Sequence, residues 1–212
     1  MGLNIIYENE HFAVIDKEAG VLSEGSPDSV LSQFEQYLIT KYPNKKQLVA
    51  GLPHRLDKPV SGLIICTKKR QILKDWSGQS VSPWTKIYWA LVKGKFEGPK
   101  ECKHFIGRLP NSIKAQVSNI KKDGFKLALL NITQLEHKNG YSLLEIELKT
   151  GRYHQIRAQL AYIGYPIVGD TLYASEKGTI PSSIQLVSKR ILIKSNKYCE
   201  NLILESQKLL KI

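Results

Sequence analysis

The sequence is poor in cysteine, in metal-binding patterns, in long apolar runs and in acid. Three cysteines, Cys66, Cys102 and Cys199, are scattered over 212 residues with no CxxC spacing. That excludes a disulfide framework or a zinc ribbon and leaves reduced thiols as the plain reading. The histidines His11, His54, His104, His137 and His154 show neither HxxxH nor HxE spacing, so no catalytic metal is expected. There is no P-loop and no dinucleotide fingerprint; Gly94 and Gly98 are turn glycines without a phosphate-binding frame, and Ser61-Gly62 lacks the nucleophile-elbow pattern. No cofactor is therefore expected. The opening MGLNIIYENEHFAVID carries acids where a signal peptide needs an unbroken apolar stretch, and no run approaches the length of a membrane helix. The expectation is a soluble, cytoplasmic protein.

The shortage of acid is the most telling of these. Nineteen Asp and Glu stand against 31 Lys and Arg, a formal net charge of +12. Between Lys41 and Lys74 the chain carries Lys41, Lys45, Lys46, Arg55, Lys58, Lys68, Lys69, Arg70 and Lys74 against Asp57 alone. A field of that sign attracts polyanions, and released counterions drive their binding. Such a face can also serve solubility alone. An anionic membrane is a weaker partner, because no basic amphipathic helix with an aromatic face is visible. Nucleic acid is the expected partner, and charge does not separate RNA from DNA.

The patterning predicts mixed α and β structure. Leu3 to Tyr7 and Phe12 to Asp16 read as strands with a turn at Glu18-Ala19-Gly20. A helix follows with Asp28 as its cap and Val30, Leu31, Phe34, Tyr37 and Leu38 at helical spacing until Tyr42-Pro43. Further strands are expected at Leu63–Thr67, Ile87–Val92, His104–Gly107, Ile113–Val117, Leu127–Leu135, Tyr141–Leu148, Ile184–Ile193 and Leu202–Leu204. Short helices are expected at Gln71–Trp76, closed by Gly78, and at His154–Ile163, closed by Gly164, with a terminal helical turn at the end. Asn139-Gly140 is a strong hairpin signal. Hairpins outnumber strand-helix-strand units, so the sheet should be mainly antiparallel.

Polar clusters beside apolar strands remain as site candidates: His54-Arg55-Leu56-Asp57, Lys86-Ile87-Tyr88, and Leu148 to Arg157. Each has a bland counterpart. Asp57 and Arg157 could form a structural ion pair, Tyr88 could be an anchored core tyrosine, and Gly151 could serve only to turn strand into helix. Trp84 and Trp89 suit core packing better than base stacking.

In order along the chain these clusters stand as HRLDKPVSG, KIYWALVKG and LKTGRYHQIRAQLAYIGYPIVGDTLY. They resemble the signatures of the RluA-type RNA pseudouridine synthases, and NIIYENEHFAVIDKEAGVL is similar to the family's first strands. The resemblance implies an α/β (α+β) pseudouridine-synthase fold: a mainly antiparallel, bent mixed sheet with flanking helices and a central catalytic cleft. It implies isomerisation of uridine to pseudouridine in structured ribosomal or transfer RNA, without cofactor or metal, by a chain expected to be a monomer. Asp57 resembles the catalytic aspartate, Arg157 its ion-pair partner, and Tyr88 the active-site tyrosine that stacks on uracil. Leu148 would be the apolar contact on the base, and Arg55 the residue that fills the place of the extruded base. Extrusion itself costs about a few kcal/mol. His54, Arg152, His154 and Gln155 would position groups or bind phosphate. One catalytic domain over residues 1–212 is expected, with no separate N-terminal RNA-binding domain.

The chain departs from the family pattern at Val60, where many members have Thr, and at Glu18, which replaces a proline. Histidines common near Leu22-Ser23 and at Val187 are absent. These positions bear on peripheral RNA contacts more than on the chemistry. Two rivals follow from the same residues. A non-catalytic RNA-binding or assembly factor would release no tritium from C5-labelled uridine, and a nucleosidic hydrolase would release free uracil but usually needs a second carboxyl group.

Overall fold

A computed structural model describes residues 2–45, 47–77, 83–174 and 183–210. Among these lie ten strands and three helices, a mixed α/β fold in which the strand pairs formed within each unit are antiparallel. The residues cluster into two compact units. Unit 1 comprises the chain up to Thr85 together with Ser188–Lys208, and unit 2 comprises Lys86–Val187 with the stretch from Leu209.

Unit 1 is built on β1 (Ile5–Glu8), β2 (Phe12–Lys17) and β3 (Ser61–Thr67). β2 is buried along its whole length and β3 at every residue after Ser61. Burial on both faces explains why each reads as a continuous apolar run rather than an alternation. The link from β2 to β3 carries α1 (Val30–Lys41), which buries Val30, Phe34 and Leu38. Its cap is Ser29 rather than the expected Asp28: Ser29 is extended and its Oγ accepts from the Ser32 N–H at 3.3 Å. Helix α2 (Arg70–Trp76) seals the core with Trp76, against Phe12, Val14, Leu63, Ile65 and Trp84. The expected closing residue of α2, Gly78, lies outside the described residues.

Unit 2 is a run of antiparallel strands in the order β4 (Trp84–Lys93), β8 (Tyr141–Leu148), β7 (Lys126–Lys138), β5 (Glu101–Arg108), β6 (Ala115–Ser118). The chain passes from one unit to the other inside β4 and again inside β9 (Leu186–Ile193). β7 and β8 form the hairpin signalled by Asn139-Gly140, both of which have positive φ. β5 begins three residues earlier than expected. Its charged Glu101 and Lys103 are exposed while Cys102 and His104 between them are buried, so the alternation was masked by charge. Helix α3 (Gln155–Tyr162) packs on β5 and β6.

The expected terminal helical turn is not found among the described residues. After β10 (Leu202–Glu205), residues 206–210 have no regular structure. Ser206 instead donates its N–H to Lys189 O and its Oγ to Asp16, and accepts the Lys189 ammonium. Those bonds hold the chain extended against β9 and leave no backbone free for a helix.

Gly62 ties the HRLDKPVSG segment to β9. It has φ +105°, and a Cβ there would lie 2.4 Å from the Ser188 carbonyl oxygen and 2.7 Å from its nitrogen. Ser188 Oγ also donates to Leu63 O at 2.9 Å. Gly62→Ala would have to displace backbone and adopt a disfavoured φ, and is expected to destabilise the protein by about 3 kcal/mol. A fall in the urea midpoint at unchanged slope would register it.

Candidate active site

In unit 1, Asp57 opens a tight turn in which the Val60 N–H donates to the Asp57 carbonyl at 3.0 Å. The turn is clamped from several directions. Lys58 O accepts from the Gly20 N–H at 2.8 Å and from Lys17 Nζ at 3.3 Å. On the other side of Asp57, Leu56 is buried, and Ser23 Oγ both donates to Leu56 O (2.7 Å) and accepts from Leu56 N (3.1 Å). Ser23 thus fastens the loop through both polar groups of Leu56. Lys17 is 2 % exposed and also donates to Glu18 O and Val21 O. Burial pulls its ammonium down to about 8, against the nearby charges of Asp57 and Glu18, which favour the protonated form. The half-buried carboxylate of Asp57 therefore stands on a rigid turn with a buried cation beneath it.

The neighbours of Asp57 in sequence point elsewhere. Arg55 is exposed and pairs with Glu24 at 2.6 Å, a surface contact of little energetic weight. Its guanidinium is thus within reach of a polyanion. His54 accepts the Ile65 N–H on Nε2 at 3.1 Å, which places the proton of the neutral ring on Nδ1 and anchors the loop to β3.

In unit 2, Tyr88 on β4 is 5 % exposed. Lys86 and Tyr88 are two residues apart and share one face of β4 with Leu148 and Ile146, their partners on β8. Beyond Leu148 the chain turns through Thr150-Gly151-Arg152 into α3. Gln155 holds that turn: its Oε1 accepts from Thr150 Oγ1 (2.9 Å) and Arg152 N (3.0 Å), and its Nε2 donates to Leu129 O (3.1 Å). Arg152 Nε donates to Leu127 O at 2.8 Å. His154 caps the helix in the left-handed region, φ +52°, sparsely populated for a residue with a side chain. Its ring lies 3.9 Å from that of Tyr153 and its Nδ1 lies 3.1 Å from Tyr173 Oη.

Arg157 is 6 % exposed and makes a bidentate contact with Asp170, Nε to Oδ2 and Nη2 to Oδ1, both at 2.8 Å. Asp170 Oδ1 also accepts the N–H groups of Leu172 and Tyr173, and the Arg157 guanidinium stands 5.3 Å from the centre of the Tyr173 ring. The arginine is held in orientation by a planar fork matched to a carboxylate.

The structure thus brings Tyr88 and Leu148 onto one sheet face of unit 2, builds Arg157, Arg152, His154 and Gln155 onto the turn and helix that follow it, and fixes Asp57, Arg55 and His54 on one loop of unit 1. Gln155 and His54 each hydrogen-bond to the protein itself. Ser23, Lys17, Asp170 and Tyr173 were not singled out from the sequence. Asp170 and Tyr173 lie inside the stretch from Leu148 to Tyr173, but their role depends on a contact thirteen residues from Arg157 that no short spacing signals. Trp84 is 6 % exposed and packs in the aromatic core, as expected, and the half-buried Trp89 donates to Glu145. Among the described residues no cluster of His, Cys, Asp and Glu could hold a metal, and no helix is long and apolar enough to cross a membrane.

Residues 11–162 match the model of a family described as RNA pseudouridylate synthase. The chain is 34% identical over 188 residues to ribosomal large subunit pseudouridine synthase D of Borreliella burgdorferi, covering 83% of this chain and 56% of that protein. It is 34% identical over 178 residues to the protein of the same name from Pseudomonas aeruginosa, covering 81% and 53%. The chain thus spans about half the length of the curated relatives it matches. Among solved structures, human RNA pseudouridylate synthase domain containing 4 aligns with TM-score 0.75 over 96% of this chain and 88% of that one, at 17% identity. Human RNA pseudouridylate synthase domain containing 1 aligns with TM-score 0.72 over 98% and 84%, at 22% identity. At those identities the likeness shows the fold.

Proposed function

Because the chain belongs to the RNA pseudouridylate synthase family, we propose that it isomerises uridine to pseudouridine in structured RNA, with residues 1–212 acting as one catalytic domain. The observation that carries this reading is the family match itself, which spans Asp57, Tyr88, Leu148 and Arg157 together. The N1–C1′ bond of the uridine breaks, the uracil turns, a C5–C1′ bond forms, the C5 proton leaves, and the freed N1 takes up a proton, so the product is an isomer. Nothing is oxidised or consumed, so the chemistry needs only a placed carboxylate, a base-binding surface and charge control.

Asp57 is the catalytic carboxylate, acting on the ribose or assisting bond cleavage while ionised. The clamps on its turn support that role, because a nucleophile must be held without reorganising. Arg157 supplies a fixed positive charge to the reacting nucleotide, Tyr88 stacks on the uracil and assists removal of the C5 proton, and Leu148 gives the base an apolar contact. Arg55 takes the place of the extruded base in the RNA stack, and Arg152 and His154 contact the backbone. Large-subunit ribosomal RNA is the first substrate to test, since the named relatives act there; transfer RNA is the second.

Mapping pseudouridines by a carbodiimide stop method, in RNA from cells with and without the gene, tests the proposal. Loss of a pseudouridine at one or more positions is the expected result. An unchanged map in ribosomal and transfer RNA, with no tritium released by the pure protein, would overturn it in favour of a binding role.

A further inference from the structure

The proposed chemistry gives Lys86 no task, yet its setting is unusual for this protein. The other buried lysines spend their ammonium groups on the protein. Lys17 donates to three carbonyls, Lys68 to Glu8 and Asn9 O, and Lys189 to Ser206 O and Glu205. The Lys86 ammonium has no hydrogen-bond or ion-pair partner among the described residues. It is half-buried at the start of the face that carries Tyr88, directly opposite Leu148. Its Nζ lies 3.7 Å from where a Cβ would stand on Gly151. Gly151 is exposed, and its own N–H also has no partner among the described residues.

An ammonium kept half-buried without a protein acceptor has lost part of its hydration, and a ligand that supplies an anion there makes up the loss. Burial already pulls this group down to about 8. An ammonium and a free backbone N–H together form a donor pair for an oxyanion, and the bare glycine leaves the approach open. On RNA the available anion is the phosphodiester. A uracil carbonyl could accept the same bond, but a hydrogen bond between two charged groups is about twice as strong as a neutral one.

We propose that Lys86, with the Gly151 N–H beside it, grips a phosphodiester of the RNA next to the uridine that is isomerised. The inference rests on the proposed function, and deepens it by naming how the substrate backbone is held. Lys86 would raise affinity and fix the nucleotide against Tyr88 and Leu148 without taking part in bond breaking.

The test compares the wild-type chain with Lys86→Met and Lys86→Arg, using an unmodified large-subunit ribosomal RNA transcript. Affinity is measured against salt concentration and pH, and pseudouridine formation is followed in parallel. Lys86→Met should weaken binding about tenfold and flatten the salt dependence by one phosphate contact, a change in log–log slope of about 0.7 to 0.9. It should raise KM with kcat little changed. Lys86→Arg should keep the wild-type slope. Phosphate favours the charged lysine, so its contribution is present below a pKa of about 8 in the free protein and is lost as pH rises through the higher value of the complex. The resulting fall in wild-type affinity towards pH 9.5 should vanish in Lys86→Arg, whose guanidinium stays charged. A Lys86→Met slope equal to wild type, or a pH-dependent fall that persists in Lys86→Arg, would overturn the proposal. Wild-type pseudouridine formation is scored separately: if it is present while the slopes agree, only the role of Lys86 is lost; if it is absent from every RNA, the proposed function is lost.

Discussion

Asp57→Asn is expected to lower pseudouridine formation at least about 10³-fold, as the loss of a nucleophilic or charge-stabilising carboxylate does. Asparagine keeps the shape of the side chain and removes its charge. The turn itself is held by backbone groups and by other side chains: the Val60 N–H on Asp57 O, the Gly20 N–H and Lys17 Nζ on Lys58 O, and Ser23 on both polar groups of Leu56. None of these needs the Asp57 carboxylate, so the variant should fold with a urea midpoint close to wild type and bind RNA with similar affinity. Tritium release from C5-labelled uridine RNA reads the chemistry, and the binding isotherm reads the rest. Turnover that survives at more than a few percent would show that another group does the work assigned to Asp57. A variant that loses RNA binding along with turnover would make Asp57 part of the binding surface instead.

The parts of this site that could be read from the sequence are those carried by local order. HRLD, K-I-Y and L-K-T-G-R-Y-H-Q-I-R each announce themselves because the functional side chain and the backbone device that presents it lie within a few residues. β8 and the Asn139-Gly140 hairpin were legible for the same reason, since a two-residue turn and a period-two strand are local signals. β3, β4 and β5 extend beyond the expected bounds because Ser61, Thr85, Glu101 and Lys103 are polar residues near the strand starts, each beside a buried one. The terminal helical turn failed because Ser206 is claimed by Asp16 and Lys189, 190 and 17 residues away. Long-range polar contacts of this kind leave no periodic trace. Ser23 shows the same limit from the other side. In sequence it is an ordinary loop serine, and only the fold reveals that its hydroxyl fastens the loop at Leu56.

Asp170 is the residue whose loss should cost the fold most among the site's charged groups. Its carboxylate accepts Arg157 Nε and Nη2 and two backbone N–H groups, and it is 1 % exposed. Asp170→Ala would strip the buried guanidinium of its bidentate partner and leave those N–H groups without their acceptor, an expected loss of about 3 kcal/mol or more in the free energy of unfolding. Turnover should fall as well, because Arg157 would no longer be held in one orientation. The two effects have different origins and can be separated. Replacing the arginine too, in Asp170→Ala with Arg157→Met, removes the charge that has lost its bidentate acceptor and should recover much of the lost stability, since breaking a buried pair is dearer than replacing it by apolar side chains. Activity should not recover with it. Urea unfolding of the single and double variants, read beside tritium release, therefore distinguishes an arginine needed for catalysis from one needed only to satisfy Asp170. If the double variant regains both stability and turnover, Arg157 and Asp170 are a structural pair and the charge beside the reacting uridine comes from another residue.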